Sequence, residues 1–371
     1  MKIYVIGIRG FPNVQGGAEK RCEKLFTRLA KFGLDIKVFA RKSYFPKNSR
    51  LKEWNGIKFL YLFSPRIKGF ETFIHSFVSS LICLFEKPDV LHYQNMGPAL
   101  FLPMTKFFGI KTIVTFDSIN YLHQKWGWFA KFILKLGEYF SVKFADKIIV
   151  VSKYIENYLE KKYKKNDFIL IPNGVEPQEI LPPGETLKKF NLEPKKYIFN
   201  VSRLVPEKGL HDLILAYRDI KNPQFKLVIV GDADHETSYS KNLKKLAQTI
   251  PGIVLTGVLT GRPLQELYSN ARLFVLPSYY EGLPLALLEA LSYGLPVLVS
   301  DIPAHREIPL PNYRYFHVGD YEELKQKILE LYNKGISDKE KEFIFEYLKE
   351  NHNWDKIAER VLEVYKNLVR F

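Results

Sequence analysis

At 371 residues the chain exceeds the ~250 residues at which single hydrophobic cores stop growing, so two α/β domains are expected. Hydrophobic residues at 46 % and charged residues at 26 %, with no low-complexity stretch, exclude a disordered chain, and two distant cysteines, Cys22 and Cys83, exclude a disulfide framework or a CxxC metal site. The net charge of +15 is one-sided, with 29 Lys/Arg against 13 Asp/Glu in residues 1–172 (+16) and 26 against 27 in the rest (−1), which suits an anionic partner such as lipid headgroups, a pyrophosphate-linked acceptor or nucleic acid.

The start MKIYVIGIRG runs directly into a strand, without the charged and apolar regions of a signal peptide. The longest apolar run, Phe77 to Phe85, falls well short of the ~20 residues of a spanning helix. Neither a signal peptide nor a transmembrane helix is expected, and a cytoplasmic location fits. After the first strand come an amphipathic segment from Ala18 to Phe32, the strands DIKVFA and IKFLYLF, a helix near Ile74 to Phe85, and DVLHYQ. KTIVTF, a helix from Trp128 to Phe144, DKIIVVS, a helix from Lys153 to Tyr163 and DFILIP complete the first half. Short apolar runs separated by helical periods predict a parallel sheet covered on both faces.

Pro172-Asn173-Gly174 ends this series, and the Pro-rich stretch from Pro177 to Pro194 reads as a linker, so the first domain is placed at 1–172 and the second at 173–352. The second alternates KYIFNVS, a helix from Glu207 to Ile220, FKLVIVG, a helix from Tyr239 to Ile250, GIVLTG, a helix near Pro263 to Ala271, and RLFVLPS. A helix from Leu283 to Tyr293, PVLVSD, YRYFHV and helices from Asp320 onward follow. Residues 353–371 form an amphipathic stripe, with Ile357, Val361, Val364, Leu368 and Val369 apolar, expected to pack back on the body. The predicted fold class is α/β, two doubly wound Rossmann-like domains facing across a cleft at their carboxyl edges.

The first loop, Gly7 to Gly17, leaves a strand and enters a helix whose open N–H groups favour phosphate, and Gly16-Gly17 permit close backbone approach. Its spacing is not GxGxxG, and Ala40-Arg41-Lys42 stand where a dinucleotide fold has an acidic residue, which counts against a nicotinamide-dependent oxidoreductase. No helix-turn-helix, zinc or RNP-type pattern supports a nucleic-acid-binding module. Ser202-Arg203 follow the next domain's first strand and Pro206 to Gly209 open its helix, so Arg203 and Lys208 project where two cations can stabilise a departing pyrophosphate.

In PSYYEGLPLALLEA, Glu281 lies in a loop and Glu289 two turns into an apolar helix, with Gly282, Leu283, Pro284 and Leu285 between them. A carboxylate there needs a partner, and vicinal hydroxyls of sugar or ribose suit it. Gly231-Asp232-Ala233-Asp234 mimics a DxD metal motif, yet with Arg203 and Lys208 supplying charge no metal is expected. The eight histidines, His123 among them, lack metal-ligand spacing.

Gly16-Gly17, SRxxxEKG at Ser202 to Gly209 and E-x7-E at Glu281 and Glu289 within PSxxEGxP resemble the retaining GT-B glycosyltransferases of the glycosyl transferase group 1 family across nearly the whole chain. GIRGFPxxxGGAE and KWGWFAKFILKLGE are similar to a bacterial rhamnosyltransferase-like subgroup. The resemblance implies a UDP- or dTDP-sugar donor as co-substrate without another cofactor, and a lipid-linked or glycan acceptor in cell-surface glycan synthesis. It further implies Arg203, Lys208 and Glu281 as catalytic residues, the first two on the diphosphate and Glu281 on the sugar, with Glu289 on the ribose. Gly16 and Gly17 then face phosphate and acceptor, and the backbone at Val258 meets the base. Where the family has histidine after the strand KTIVT, this chain has Asp117, which alters the donor-sugar contact. The basic half, with Phe26, Phe32, Phe45, Trp126, Trp128 and Phe129 among its cations, is expected to meet an anionic membrane surface as a peripheral protein.

Overall fold

The computed structural model describes residues 1–65, 67, 69–122 and 127–369; His123, Trp126 and Phe371 lie outside the described residues. The chain divides into two compact units, Met1–Asn173 with Trp354–Phe371, and Gly174–Asn353.

The first unit holds eight strands among the described residues: β1 Lys2–Ile6, β2 Asp35–Arg41, β3 Glu53–Trp54, β4 Ile57–Leu62, β5 Val90–Gln94, β6 Lys111–Phe116, β7 Lys147–Val150 and β8 Phe168–Leu170. Their order is β3-β4-β2-β1-β5-β6-β7-β8, all parallel except the β3–β4 pair. Val, Ile and Leu fill both sides of the central strands, as a sheet covered on two faces demands. The helices are α1 Gly17–Lys31, α2 Phe70–Glu86, α3 Leu102–Phe107, α4 Trp128–Phe144 and α5 Lys153–Tyr163. The chain moves outward from β1 to β2 and returns from β4 to β5, so right-handed crossovers put α1 on one face and α2 through α5 on the other.

The C-terminal helix Trp354–Val369 packs on α1: Tyr365 Oη meets His92 Nδ1 at 2.6 Å, Arg28 pairs with Asp355 at 2.6 Å, and Arg360 donates to the Leu170 carbonyl. Ile357, Val361, Val364 and Leu368 are buried; Val369 is 40 % exposed and so leaves the stripe expected of it.

The second unit holds β9 Tyr197–Val201, β10 Lys226–Val230, β11 Ile253–Gly257, β12 Leu273–Leu276, β13 Val297–Ser300 and β14 Tyr315–Phe316, in the order β11-β10-β9-β12-β13-β14. The Pro-rich stretch read as a linker packs on this unit. Its short helix α6, Glu185–Lys189, is held by Glu266, whose carboxylate accepts from the Gly184, Thr186 and Leu187 N–H groups at 2.8, 3.3 and 2.9 Å. Helices α7 Leu210–Arg218, α8 Ser238–Gln248, α9 Gly261–Asn270 and α10 Leu285–Ser292 cover the sheet, and Leu210, Leu213, Ile214 and Tyr217 of α7 join Ile198, Leu227 and Leu273 in one core. β9 lies between β10 and β12, so strand order reverses there, and the loops after β9 and β12 flank the point where doubly wound sheets bind ligands.

Candidate functional site

The loops after β9 and β12 carry Arg203, Lys208 and Glu281, and the structure welds them together. Asn200, buried on β9, donates to the Val275 carbonyl on β12 at 2.8 Å and accepts from Ser202 Oγ at 2.8 Å, so Ser202 fixes the start of the loop. Instead of a helix from Glu207, the chain makes a tight turn at Pro206–Lys208, and Gly209 follows with φ 63° before α7 begins. A Cβ on Gly209 would stand 1.9 Å from the Pro277 carbonyl oxygen, so no other residue lets the loops approach this closely. The Tyr279 N–H donates to the Glu207 carbonyl at 2.9 Å across the same seam.

This approach brings Lys208 Nζ to 2.6 Å from Glu281 Oε1, which also accepts from Ser278 Oγ at 2.7 Å. Burial alone would raise the Glu281 carboxyl, but the Lys208 ammonium and these hydrogen bonds outweigh it and hold the group below the usual carboxylate range. The carboxylate is therefore ionised at neutral pH. Beneath it, Ser300 Oγ donates to the Ser278 carbonyl, and fully buried His305 donates from Nδ1 to the Ser300 carbonyl at 2.7 Å. Desolvation pushes His305 down to about 4 against the pull of Glu281, so its imidazole is neutral.

Arg203 Nη1 pairs with Asp234 at 2.9 Å and Lys244 with Asp232 at 2.7 Å, so each acid of the DxD look-alike holds a cation. Among the described residues no group of three or more His, Cys, Asp or Glu has metal-binding geometry. Pro284 precedes α10, which no side chain caps, while Leu283 and Leu285 are buried beside it. Open N–H groups at a helix start favour an anion. Glu289, nearly buried, accepts from Tyr268 Oη at 3.3 Å, and Tyr293 stacks on the Tyr268 ring at 5.0 Å. Val258, just past β11, is 47 % exposed.

Gly16, Gly17 and Asp117 belong to the first unit, on the loops after β1 and β6. Arg9 clamps its loop by bidentate contact with Glu19, both at 2.9 Å, and donates to the Gln15 carbonyl. Arg9 overcomes the burial that would raise Glu19 and lowers its carboxyl. The two glycines differ in purpose. A Cβ on Gly16 would lie 2.0 Å from Glu19 Oε2 and break the clamp, whereas one on Gly17 would meet nothing within 4 Å. Gly17 keeps the uncapped start of α1 clear.

Asp117 faces Arg21 at 3.5 Å, and Arg21, 1 % exposed, also donates to Gln94 Oε1 at 3.2 Å. Burial raises the Asp117 carboxyl despite Arg21, moving it toward the protonated form that donates as well as accepts. Arg9, Glu19 and Arg21 escaped the sequence reading. Arg21 was detectable, since it lies four residues before Leu25 on the apolar stripe of α1.

Residues 185–345 match the family described as Glycosyl transferases group 1, and residues 15–179 match Glycosyltransferase Family 4. An uncharacterized glycosyltransferase of Methanocaldococcus jannaschii is 26 % identical over 99 % of this chain and 98 % of its own. Among solved structures, sucrose-phosphate synthase from Thermosynechococcus elongatus shares the fold with a TM-score of 0.82 at 22 % identity, covering 99 % of this chain and 98 % of that one. Anabaena HepE in complex with UDP-glucose gives 0.79 at 17 % identity, covering 99 % and 100 %. Fold and matches define the class: the chain is a GT-B glycosyltransferase, an enzyme of sugar transfer. Its second unit carries the group 1 match and its first the Family 4 match, which displaces the oxidoreductase and nucleic-acid readings.

Proposed function

We propose that the enzyme transfers a hexose, rhamnose being one candidate, from a UDP- or dTDP-linked donor to a lipid-linked or polysaccharide-precursor acceptor with retention of configuration, at the cytoplasmic face of a membrane. The observation that carries this is the Lys208–Glu281 pair at 2.6 Å, set by the Gly209–Pro277 approach beside the strand-order reversal. HepE, solved with UDP-glucose, is a neighbour in fold and supports the donor class.

Arg203 and Lys208, each oriented by a carboxylate before donor arrives, neutralise the diphosphate as its glycosidic bond breaks. The ionised Glu281 accepts hydrogen bonds from hydroxyls of the donor sugar, Glu289 from those of the ribose, and the backbone at Val258 meets the base. Gly282 to Leu285 lead into the open N–H groups of α10 for phosphate. In the first unit, Gly16 and Gly17 offer an unobstructed helix start, and Asp117, backed by Arg21, meets a sugar hydroxyl. The departing phosphate helps take the acceptor proton, so no side-chain nucleophile is required and no metal is invoked.

A thermal-shift panel of nucleoside diphosphates and nucleotide sugars tests the reading, because a ligand that binds only the folded state raises Tm. A shift with UDP or dTDP compounds is expected. No shift with any of them would overturn it.

A further inference from the structure

Helix α2 is built inside out for a helix in water. It buries Glu71, His75, Ser76, Ser79, Ser80 and Cys83, while Phe70, Phe73, Phe77 and Phe85 stand 59, 42, 40 and 85 % exposed. Part of the inward polar face is bonded: Glu71 pairs with Arg41 at 2.9 Å and accepts from Tyr44 at 3.2 Å, and Ser80 meets Tyr93 Oη at 3.1 Å, whereas His75 and Ser76 Oγ are buried without a hydrogen bond among the described residues.

Helix α4 repeats the inversion. It buries Gly137, Glu138 and Ser141 alongside Leu134 and Val142, with Glu138 accepting from Tyr121, Lys162 and Tyr163, and it leaves Trp128, Phe129 and Phe132 exposed. Gly137 sits so close to the body that a Cβ would be 2.1 Å from the Met96 carbonyl oxygen. The turn at Pro98–Phe101 touches both helices, its Phe101 ring 5.0 Å from Phe73 and 5.3 Å from Phe77, and α3, which adjoins both, ends in exposed Phe107 and Phe108. Scattered exposed apolar side chains are ordinary in a soluble protein, but exposed aromatics concentrated on three adjoining helices are not. Phe26 and Phe45, expected among the surface aromatics, are core residues instead.

The same helices are cationic outward. Lys131, Lys135 and Lys143 lie on α4 and Lys87 ends α2; of the acids on α2, α3 and α4, Glu71 and Glu138 are buried and Glu86 is held by Lys37. A second copy of the chain would set these lysines against themselves, whereas an anionic leaflet neutralises them. No described helix is long and apolar enough to cross a membrane, which leaves a face lying in the interface plane.

We propose that the outward face of α2, α3 and α4 is a membrane-docking surface that seats its aromatic side chains at the headgroup–acyl boundary of an anionic bilayer. The proposal deepens the membrane placement under Proposed function by assigning it to specific helices and to insertion in addition to net charge, and its test does not depend on the donor site. Insertion adds a component that salt does not screen.

The test is co-sedimentation of the full chain with phosphatidylcholine vesicles, with and without phosphatidylglycerol, at low and high salt. Wild type pellets with the anionic vesicles and keeps part of its binding at high salt. Phe73→Ser/Phe77→Ser/Phe132→Ser weakens binding more than about tenfold and removes the salt-resistant part, while Lys131→Gln/Lys135→Gln/Lys143→Gln removes only the salt-sensitive part. Brominated acyl chains quench tryptophan fluorescence less in Trp128→Phe than in wild type. Unchanged binding of the triple Phe variant, or complete release by salt without quenching, overturns the proposal. A dimer in sedimentation equilibrium that the same Phe variant dissolves, with no vesicle binding, would also overturn it and give the face to a second copy. A UDP thermal shift on the Phe variant shows that it is folded; loss of that shift in wild type would sink the donor reading and leave the vesicle result standing.

Discussion

The two units share an architecture, parallel strands with one reversal of order, but they invert each other's surface chemistry. In the second unit α7 turns Leu210, Leu213, Ile214 and Tyr217 inward, and its working loops are locked by a glycine that no other residue can replace. In the first unit α2 and α4 turn serine, glycine and glutamate inward and phenylalanine outward. The charge follows the same division, +16 in residues 1–172 against −1 beyond. One fold plan can thus be adapted to two surroundings by changing which face of a crossover helix is apolar, while the sheet and its switch point stay the same.

If the loop pair of the second unit is the reacting end, the largest effect comes from its cations. Lys208→Ala or Arg203→Ala should lower transfer at least 100-fold, about 3 kcal/mol of barrier, with the fold retained but Tm lowered in Lys208→Ala, which strands the buried Glu281 carboxylate. Lys135→Ala in the first unit should leave transfer to a soluble acceptor at wild-type rate. Equal rates for Lys208→Ala and wild type would erase the contrast.

Acid distinguishes the units next. Desolvation pushes His75 and His92 of the first unit down to about 3, and His305 of the second to about 4. Between those values and the ordinary ~6.5 the unfolded chain binds protons that the native state refuses, so stability falls as pH falls through this window, by on the order of 3 kcal/mol for each histidine. Among the described residues the first unit holds two histidines depressed in this way and the second unit one, so the first unit should open first. Hydrogen exchange at pH 5 against pH 7 measures this, and earlier opening of the second unit would reverse the expected order.

Gly209→Ala and Gly137→Ala both force a Cβ onto a carbonyl oxygen and should each cost about 1–3 kcal/mol. Only Gly209→Ala should also weaken nucleotide affinity; a similar loss in Gly137→Ala would mean that the sites are not separable in this way. The smallest effect is expected for Glu289→Gln, about tenfold in nucleoside diphosphate affinity or ~1.4 kcal/mol, with Glu281→Gln instead slowing transfer. Isothermal titration separates the two, and unchanged affinity in Glu289→Gln removes its ribose role.

The sheets were legible because buried parallel strands are nearly continuous apolar runs, and α4 and α5 because aromatic or apolar periods meet turn residues at both ends. The helix Leu102–Phe107 was not, since six residues, one of them Pro103, leave no period to read. The helix expected from Glu207 starts at Leu210, because the turn before it is set by Pro277, nearly 70 residues away. Arg203, Lys208, Glu281 and Glu289 stood out as charges beside strand ends or inside an apolar helix. Their partners Asp234, Ser278 and Tyr268 did not, because ion pairs and hydrogen bonds between distant segments leave no local signature. Phe26 and Phe45 show the converse: an aromatic among lysines in sequence can still point to the core.

The C-terminal helix bears on how the polypeptide matures. Its Tyr365 meets His92 and its Asp355 meets Arg28, so the first unit is completed by residues made after the whole second unit. Until then His92 and Arg28 lack the partners that the helix brings, and the first unit stays without its last packing element through most of synthesis. A fragment ending near Asn353 would contain every described strand of both sheets and still lack the helix that completes the first unit, so it is not a smaller version of the enzyme.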